Sequence, residues 1–160
     1  MSLEEFRKID ASTLPIGRLI GIISRGQTVY LNNKLHGLGI NTTQLHLLFE
    51  ISHHKNINQE MIASRCSIDK GAVARSVKKL EDNGLVIREI DENNRRQNRI
   101  SLTENGKKIL KQSKGILNQW EDELFTNNII DKELLQNALK EIAIRTIELN
   151  EGERNVRKEK

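Results

Sequence analysis

From Ile16 to about Leu35 the apolar residues Ile16, Leu19, Ile20, Ile22, Ile23, Val29, Tyr30 and Leu31 follow largely helical spacing, which gathers them on one face. Pro15 suits the entry to that helix, and His36-Gly37-Leu38-Gly39 ends it, glycine being the common terminator. Residues 1–13 read as a loose or partly helical lead. Asn41 or Thr42 caps a second helix carrying Leu45, Leu47, Leu48, Phe49 and Ile51. After the polar break at 53–56, Asn58 caps a short helix through Arg65 that is expected to bury Met61 and Ile62. The turn Cys66-Ser67-Ile68 follows, with Asp69 capping the next helix. There Val73, Val77 and Leu80 fall at i, i+4 and i+7 as a buried stripe, and Asn83-Gly84 is a strong stop.

Beyond Gly84 the period changes. Leu85–Ile90 and Arg99–Thr103 read as two strands, joined by the polar, turn-prone run DENNRRQN. Thr103 or Asn105 then opens a long helix carrying Ile109, Leu110, Ile116, Leu117, Trp120, Leu124 and Phe125. A last helix from about Asp131 to Asn150 carries Leu134, Leu135, Ala138, Leu139, Ile142, Ile144, Ile147 and Leu149, and the charged tail EGERNVRKEK is expected to be disordered. The fold class expected is mostly α with a small β-hairpin. Two short helices, a tight turn and then a basic hairpin are the order of a winged helix-turn-helix, a module that sits on duplex DNA.

Charge sharpens that reading. Residues 65–108 hold eleven Lys/Arg against seven Asp/Glu, while the remainder carries fifteen of each. The whole net charge of +4 therefore lies on the proposed DNA-binding segment, where a basic face attracts phosphates and releases their counterions. Gly71, Ala72 and Ala74 are small enough to bring the helix backbone near the major groove. Arg75 and Lys78 then reach base edges or phosphates, arginine pairing with guanine through two parallel hydrogen bonds. Arg95 and Arg96, placed at the hairpin tip where no core demands them, suit the minor groove. The candidate DNA contacts are thus Ser67, Asp69, Lys70, Gly71, Ala72, Ala74, Arg75, Lys78, Arg95 and Arg96.

From Asn58 to Gly106 the chain resembles the MarR family of winged-helix regulators. The residues that carry the resemblance are Leu80-Glu81-Asp82-Asn83-Gly84-Leu85-Val86, then Arg88, Asp91, Arg95 and Arg96, then Leu102-Thr103-Glu104-Asn105-Gly106. The resemblance implies a homodimeric repressor that reads a roughly palindromic double-stranded operator. It implies four segments: an N-terminal dimerisation helix in 1–40, the winged module in 41–106 (recognition helix about 69–83, wing about 85–103), C-terminal dimerisation helices in 107–150 and the tail in 151–160. A small, often phenolic effector would bind between dimer base and DNA module and lower operator affinity; Tyr30, His36, His46 and Trp120 are the candidate pocket residues. Two departures stand out. Asn94 occupies a position where the family usually has aspartate, and the recognition helix opens on Lys70, Gly71 and Ala72 where the family favours Ser or Thr.

Other chemistries are weaker. Cys66 invites a thiol-sensor reading, yet it falls where an apolar residue normally packs, and the sensing cysteine of thiol-responsive members lies near the N-terminus. His36, His46, His53 and His54 show no zinc-site spacing, so no metal or cofactor is expected. No phosphate-binding glycine loop or nucleophile elbow is present in the sequence, and an enzyme is not expected. A winged helix used only as a protein-interaction scaffold remains the alternative of another class. No apolar run reaches the length of a membrane span, the first residues lack the apolar core of a signal peptide, and the lone cysteine fits a reducing cytoplasm.

Overall fold

The computed structural model describes residues 2–91, 94–126 and 130–158, with side chains at 2–89, 98–126 and 130–151. The elements are α1 (Leu3–Arg7), α2 (Ile16–Leu35), α3 (Thr42–His53), α4 (Gln59–Cys66), α5 (Lys70–Asp82), β1 (Val86–Asp91), β2 (Asn94–Leu102), α6 (Glu104–Phe125) and α7 (Lys132–Lys158), with short 3-10 turns at Ala11–Thr13 and His36–Leu38. The chain divides into two compact units, residues 1–120 and 121–160.

Local signals set the helix starts. Asn41 forms a reciprocal capping box with Gln44, each side chain bonding the other's backbone N–H. Asn58 Oδ1 accepts from Met61 N at 2.9 Å, and Asp69 Oδ1 accepts from Ala72 N at 2.9 Å. Thr103 Oγ1 accepts from Gly106 N at 2.9 Å and itself donates to the Gly84 carbonyl at 2.7 Å. One hydroxyl thus caps α6 and ties it to the residue that ends α5.

The first unit is built on a single apolar core. Leu31 and Leu35 of α2, Leu45, Leu47, Leu48 and Ile51 of α3, Ile62 of α4, and Val73, Val77 and Leu80 of α5 are buried together with Ile57, Leu85, Val86, Ile100 and Leu110. Asn32 Oδ1 accepts from both the backbone N–H and the hydroxyl of buried Thr42, holding α2 against the start of α3. β1 and β2 pair antiparallel with Val86 opposite Leu102 and Arg88 opposite Ile100, and Ile57 bridges to Ile100 from the other side. The hairpin is thereby anchored in the core at its base.

That base is tight. Gly84 adopts φ +66°, the left-handed region that glycine enters without a Cβ penalty. Leu85 N donates to Leu80 O at 2.9 Å, and Thr103 N donates to Leu85 O at 3.1 Å. Gly106 approaches the same Leu85 carbonyl so closely that a Cβ on it would overlap the oxygen.

The second unit contains the end of α6 and α7. Lys132 pairs with Glu121 at 2.7 Å and lies 5.7 Å above the Phe125 ring, which closes the turn between the two helices. Leu134, Leu139, Ile142, Ile144, Ile147 and Leu149 of α7 are exposed, as are Ile16, Ile20, Ile23 and Val29 of α2 in the first unit.

Three expectations change. Met61 is exposed, because the short α4 turns Ile62 and Ala63 inward and leaves its neighbour to the side. Arg95 and Arg96 lie in β2 and not in a loop: β2 begins at Asn94, which pairs with Asp91, so most of the polar run from Asn94 onward belongs to the strand. α7 runs to Lys158, past Asn150 and into the segment expected to be disordered. Glu, Arg and Lys are good helix formers, and the single Gly152 weakens a helix by only about 1 kcal/mol. No helix among the described residues is long and apolar enough to cross a membrane.

The contact at Gly106 generates a stability prediction. Gly106→Ala should destabilise the fold by about 1–3 kcal/mol through forced backbone displacement, read as a fall in the urea midpoint with unchanged slope. Wild-type stability in that variant would show that the approach is not a constraint.

Candidate nucleic-acid interface

The helix-turn-helix is α4, the turn at 67–69 and α5. Ser67 closes α4 in the left-handed region (φ +52°, ψ +40°), and Ile68 N reaches back to Ala63 O at 3.0 Å. Ile68 packs half-buried against the core, which fixes the angle at which the chain enters α5. Asp69 then caps it.

On α5 the buried stripe Val73, Val77 and Leu80 determines what the opposite face presents. Gly71, Arg75 and Lys78 recur at i, i+4 and i+7, about half a turn away from that stripe, and all three are exposed. Ala72 and Ala74 flank them half-buried, and Lys70 and Lys79 are exposed at the sides. A Cβ on Gly71 would meet Arg75 Nη1 at 3.4 Å and Asp69 Oδ1 at 3.0 Å. The missing side chain therefore gives the Arg75 guanidinium room to lie back along the first turn of the helix, the direction helical side chains favour.

Carboxylates that the sequence pattern does not single out complete the electrostatics. Glu60 of α4 accepts from Lys70 Nζ at 2.6 Å, and this ion pair holds the Glu60 carboxyl below the usual carboxylate range. Lys78 Nζ pairs with Asp82 at 2.8 Å, which raises the Lys78 ammonium above its ordinary value. Arg75 has no carboxylate partner among the described residues. Arg88 of β1 pairs with Glu81 of α5 at 3.1 Å. With the Gln59 amide oriented to satisfy its hydrogen bonds, its oxygen accepts from the Arg88 guanidinium at 3.1 and 3.2 Å. Arg88 thus ties α4, α5 and the wing together and serves the geometry of the module.

The structure brings Ser67, Asp69, Lys70, Gly71, Ala72, Ala74, Arg75 and Lys78 onto or around the first turns of α5. The side chains of Asn94, Arg95 and Arg96 lie outside the described residues. The four pocket candidates are spread over α2, the turn after it, α3 and α6: His36 and His46 are exposed, Tyr30 and Trp120 half-buried, and Lys34 Nζ sits 5.6 Å above the Tyr30 ring. His53 stacks on Phe49 and its Nδ1 lies 2.8 Å from Phe49 O, while His54 pairs with Glu50 at 3.5 Å. Among the described residues no group of three His, Cys, Asp or Glu side chains is placed to hold a metal ion. Cys66 is half-buried; burial pushes its thiol up from the ordinary value, Glu50 adds to this and Arg65 partly opposes it.

Known proteins share this arrangement. A model of the MarR family matches residues 40–97. The chain is 30% identical over 104 residues to the HTH-type transcriptional regulator SarZ of Staphylococcus epidermidis, covering 65% of this chain and 68% of that protein. It superimposes on the crystal structure of a MarR transcriptional regulator from Methanosarcina mazei with TM-score 0.76 and 33% identity, over 84% of this chain and 97% of that one. The chain belongs to the MarR family. This MarR-family protein is a DNA-binding transcriptional regulator of winged-helix architecture. The fold is also that of the S. aureus MepR–DNA complex, with TM-score 0.72 and 21% identity over 84% of this chain and 96% of that one.

Two outcomes are expected from the turn and its cysteine. Asp69→Ala should cost about 1 kcal/mol of stability and speed amide hydrogen exchange at 70–73; unchanged exchange would remove the cap from the account. Cys66 should react with dithiodipyridine more slowly than glutathione at about pH 8, since only the thiolate attacks. A faster reaction would reopen thiol sensing.

Proposed function

We propose that this MarR-family protein is a homodimeric repressor of a pseudo-palindromic operator. The observation that carries the reading is the exposed stripe Gly71, Arg75 and Lys78, opposite the buried Val73, Val77 and Leu80. It presents a glycine-thinned helix face with one arginine free of carboxylates among the described residues and, three residues on, one lysine paired with Asp82. Inserted in the major groove, Arg75 would bond a base edge bidentately and Lys78 a phosphate. The N-terminal backbone N–H groups of α5 favour phosphate through the helix dipole. Ser67, Asp69, Lys70, Ala72 and Ala74 border that contact, and Arg95 and Arg96 extend it into the neighbouring minor groove. MepR of S. aureus has the same fold and forms a complex with DNA, which supports the assignment of partner.

Dimerisation is supported by the apolar side chains left open on α2 and α7. Exposed apolar residues gathered along a helix favour an interface, and a second copy would place two recognition helices about 34 Å apart on successive major grooves. The reading includes a small effector, of the phenolic kind the resemblance implies, near Tyr30, His36, His46 and Trp120 that alters this spacing and weakens binding.

Selection of bound duplexes from a random pool should return an inverted repeat with half-sites about one helical turn apart. Arg75→Ala should then lose about 1–3 kcal/mol on that operator and relax specificity. Arg96→Ala should weaken binding more evenly across sequences and flatten its salt dependence, whereas Lys78→Ala, which removes a lysine already paired with Asp82, should weaken binding evenly with a smaller change in salt dependence. Affinity indifferent to Arg75→Ala and Arg96→Ala would sink the reading. Sedimentation should give a dimer at micromolar protein; a stable monomer would contradict the symmetric arrangement.

A further inference from the structure

Gly71 stands one turn before Arg75 on the exposed face of α5. A β-carbon built on it would lie 3.4 Å from Arg75 Nη1 and 3.0 Å from Asp69 Oδ1. The guanidinium therefore rests beside the first turn of its own helix, in space that any other side chain at 71 would enter. The two neighbours differ in what holds them. Asp69 Oδ1 accepts from Ala72 N at 2.9 Å as the cap of α5, so moving it weakens the helix start. Arg75 has no carboxylate partner among the described residues. A side chain at 71 would displace the arginine and leave the cap in place.

The backbone does not ask for glycine here. Gly71 lies within α5 and is not among the positive-φ glycines, which are Gly39 and Gly84. Alanine is the better helix former by up to about 1 kcal/mol. What the glycine supplies is the space that Arg75 occupies.

The scale of the duplex gives that space a consequence. One helical turn is about 5.4 Å long, and successive bases along a strand lie about 3.4 Å apart. An arginine leaning back over the preceding turn and one pointing straight out would therefore deliver the guanidinium to different base steps. A bidentate bond tolerates no such offset, because both N–H groups must meet O6 and N7 of one guanine.

We propose that Gly71 is a positioning residue that determines which base pair Arg75 reads. The inference rests on the reading of Arg75 as the base-bonding side chain and adds the residue that aims it. It differs from a glycine that merely lets the helix backbone approach the duplex, since that effect would not depend on Arg75.

The test uses the full-length protein, with duplexes selected from a random pool by the wild type and by Gly71→Ala, and a double-mutant cycle with Arg75→Ala on the wild-type operator. Gly71→Ala should keep or raise the urea midpoint. It should lose about tenfold in affinity, within the range of a lost bidentate pair. Its selected duplexes should differ from the wild-type operator at the base pair that Arg75→Ala relaxes. In the Arg75→Ala background, Gly71→Ala should change affinity by less than about twofold, the sign of two residues acting as one. Wild-type affinity and preference in Gly71→Ala would overturn the proposal. An equal loss with and without Arg75 would do so too, by assigning the glycine to backbone approach, and a lowered midpoint would show that the cap yields in place of the arginine. Arg75→Ala with wild-type affinity would be a different failure, that of the reading of Arg75 itself, and the same cycle reports it separately.

Discussion

The carbonyl of Leu85 receives Thr103 N, and the α-carbon of Gly106 rests against the same oxygen with no room for a methyl group. Around it, Leu85 N reaches the last turn of α5 at Leu80 O, and the Thr103 hydroxyl joins Gly84 O to the first turn of α6. The recognition helix, both ends of the wing and the helix leading away from the module therefore meet within a few residues. None of the four can rotate without moving the others. Interiors packed at crystal-like density transmit such displacements and do not absorb them. The relative setting of α5 and the base of the wing follows from this one close approach; in the proposed reading, contact with adjacent grooves would depend on it.

A second brace joins the same helix to the wing. Arg88 reaches from β1 to Glu81 on α5 and to Gln59 on α4. Its side chain is largely shielded from solvent, so the ion pair works in a less screened setting than one at the surface. Together the glycine contact and the arginine brace join α4, α5 and the base of the wing.

Most of the first unit was legible in the sequence because its signals are local. Asn41, Asn58, Asp69 and Thr103 cap helices from within three residues, and Val73, Val77 and Leu80 announce the inward face of α5 by period alone. What the sequence concealed is long-range or lies in stretches of uniformly polar composition. Gly106 belongs to a recognisable signature, yet its reason is a carbonyl twenty-one residues away in sequence. Glu60 and Lys70 meet only because the turn at Ser67 brings α4 beside α5. The stretch around Arg95 and Arg96 is polar throughout and shows no alternation, so its strand character was hidden by composition. The continuation of α7 to Lys158 was hidden in the same way.

The pairs Lys70–Glu60 and Lys78–Asp82 bear on how the reader would meet a polyanion. Each lysine already holds an intramolecular anion, so a phosphate would displace a carboxylate that remains tethered nearby. The stranded carboxylate would attract a cation from solution, offsetting one set free from the duplex. Such lysines act as exchangers more than as donors of free charge. They would contribute less to the steepness of binding against ionic strength than their number suggests. They would also resist capture by arbitrary phosphates, which in the proposed reading leaves discrimination to Arg75, whose guanidinium has no carboxylate partner among the described residues to give up.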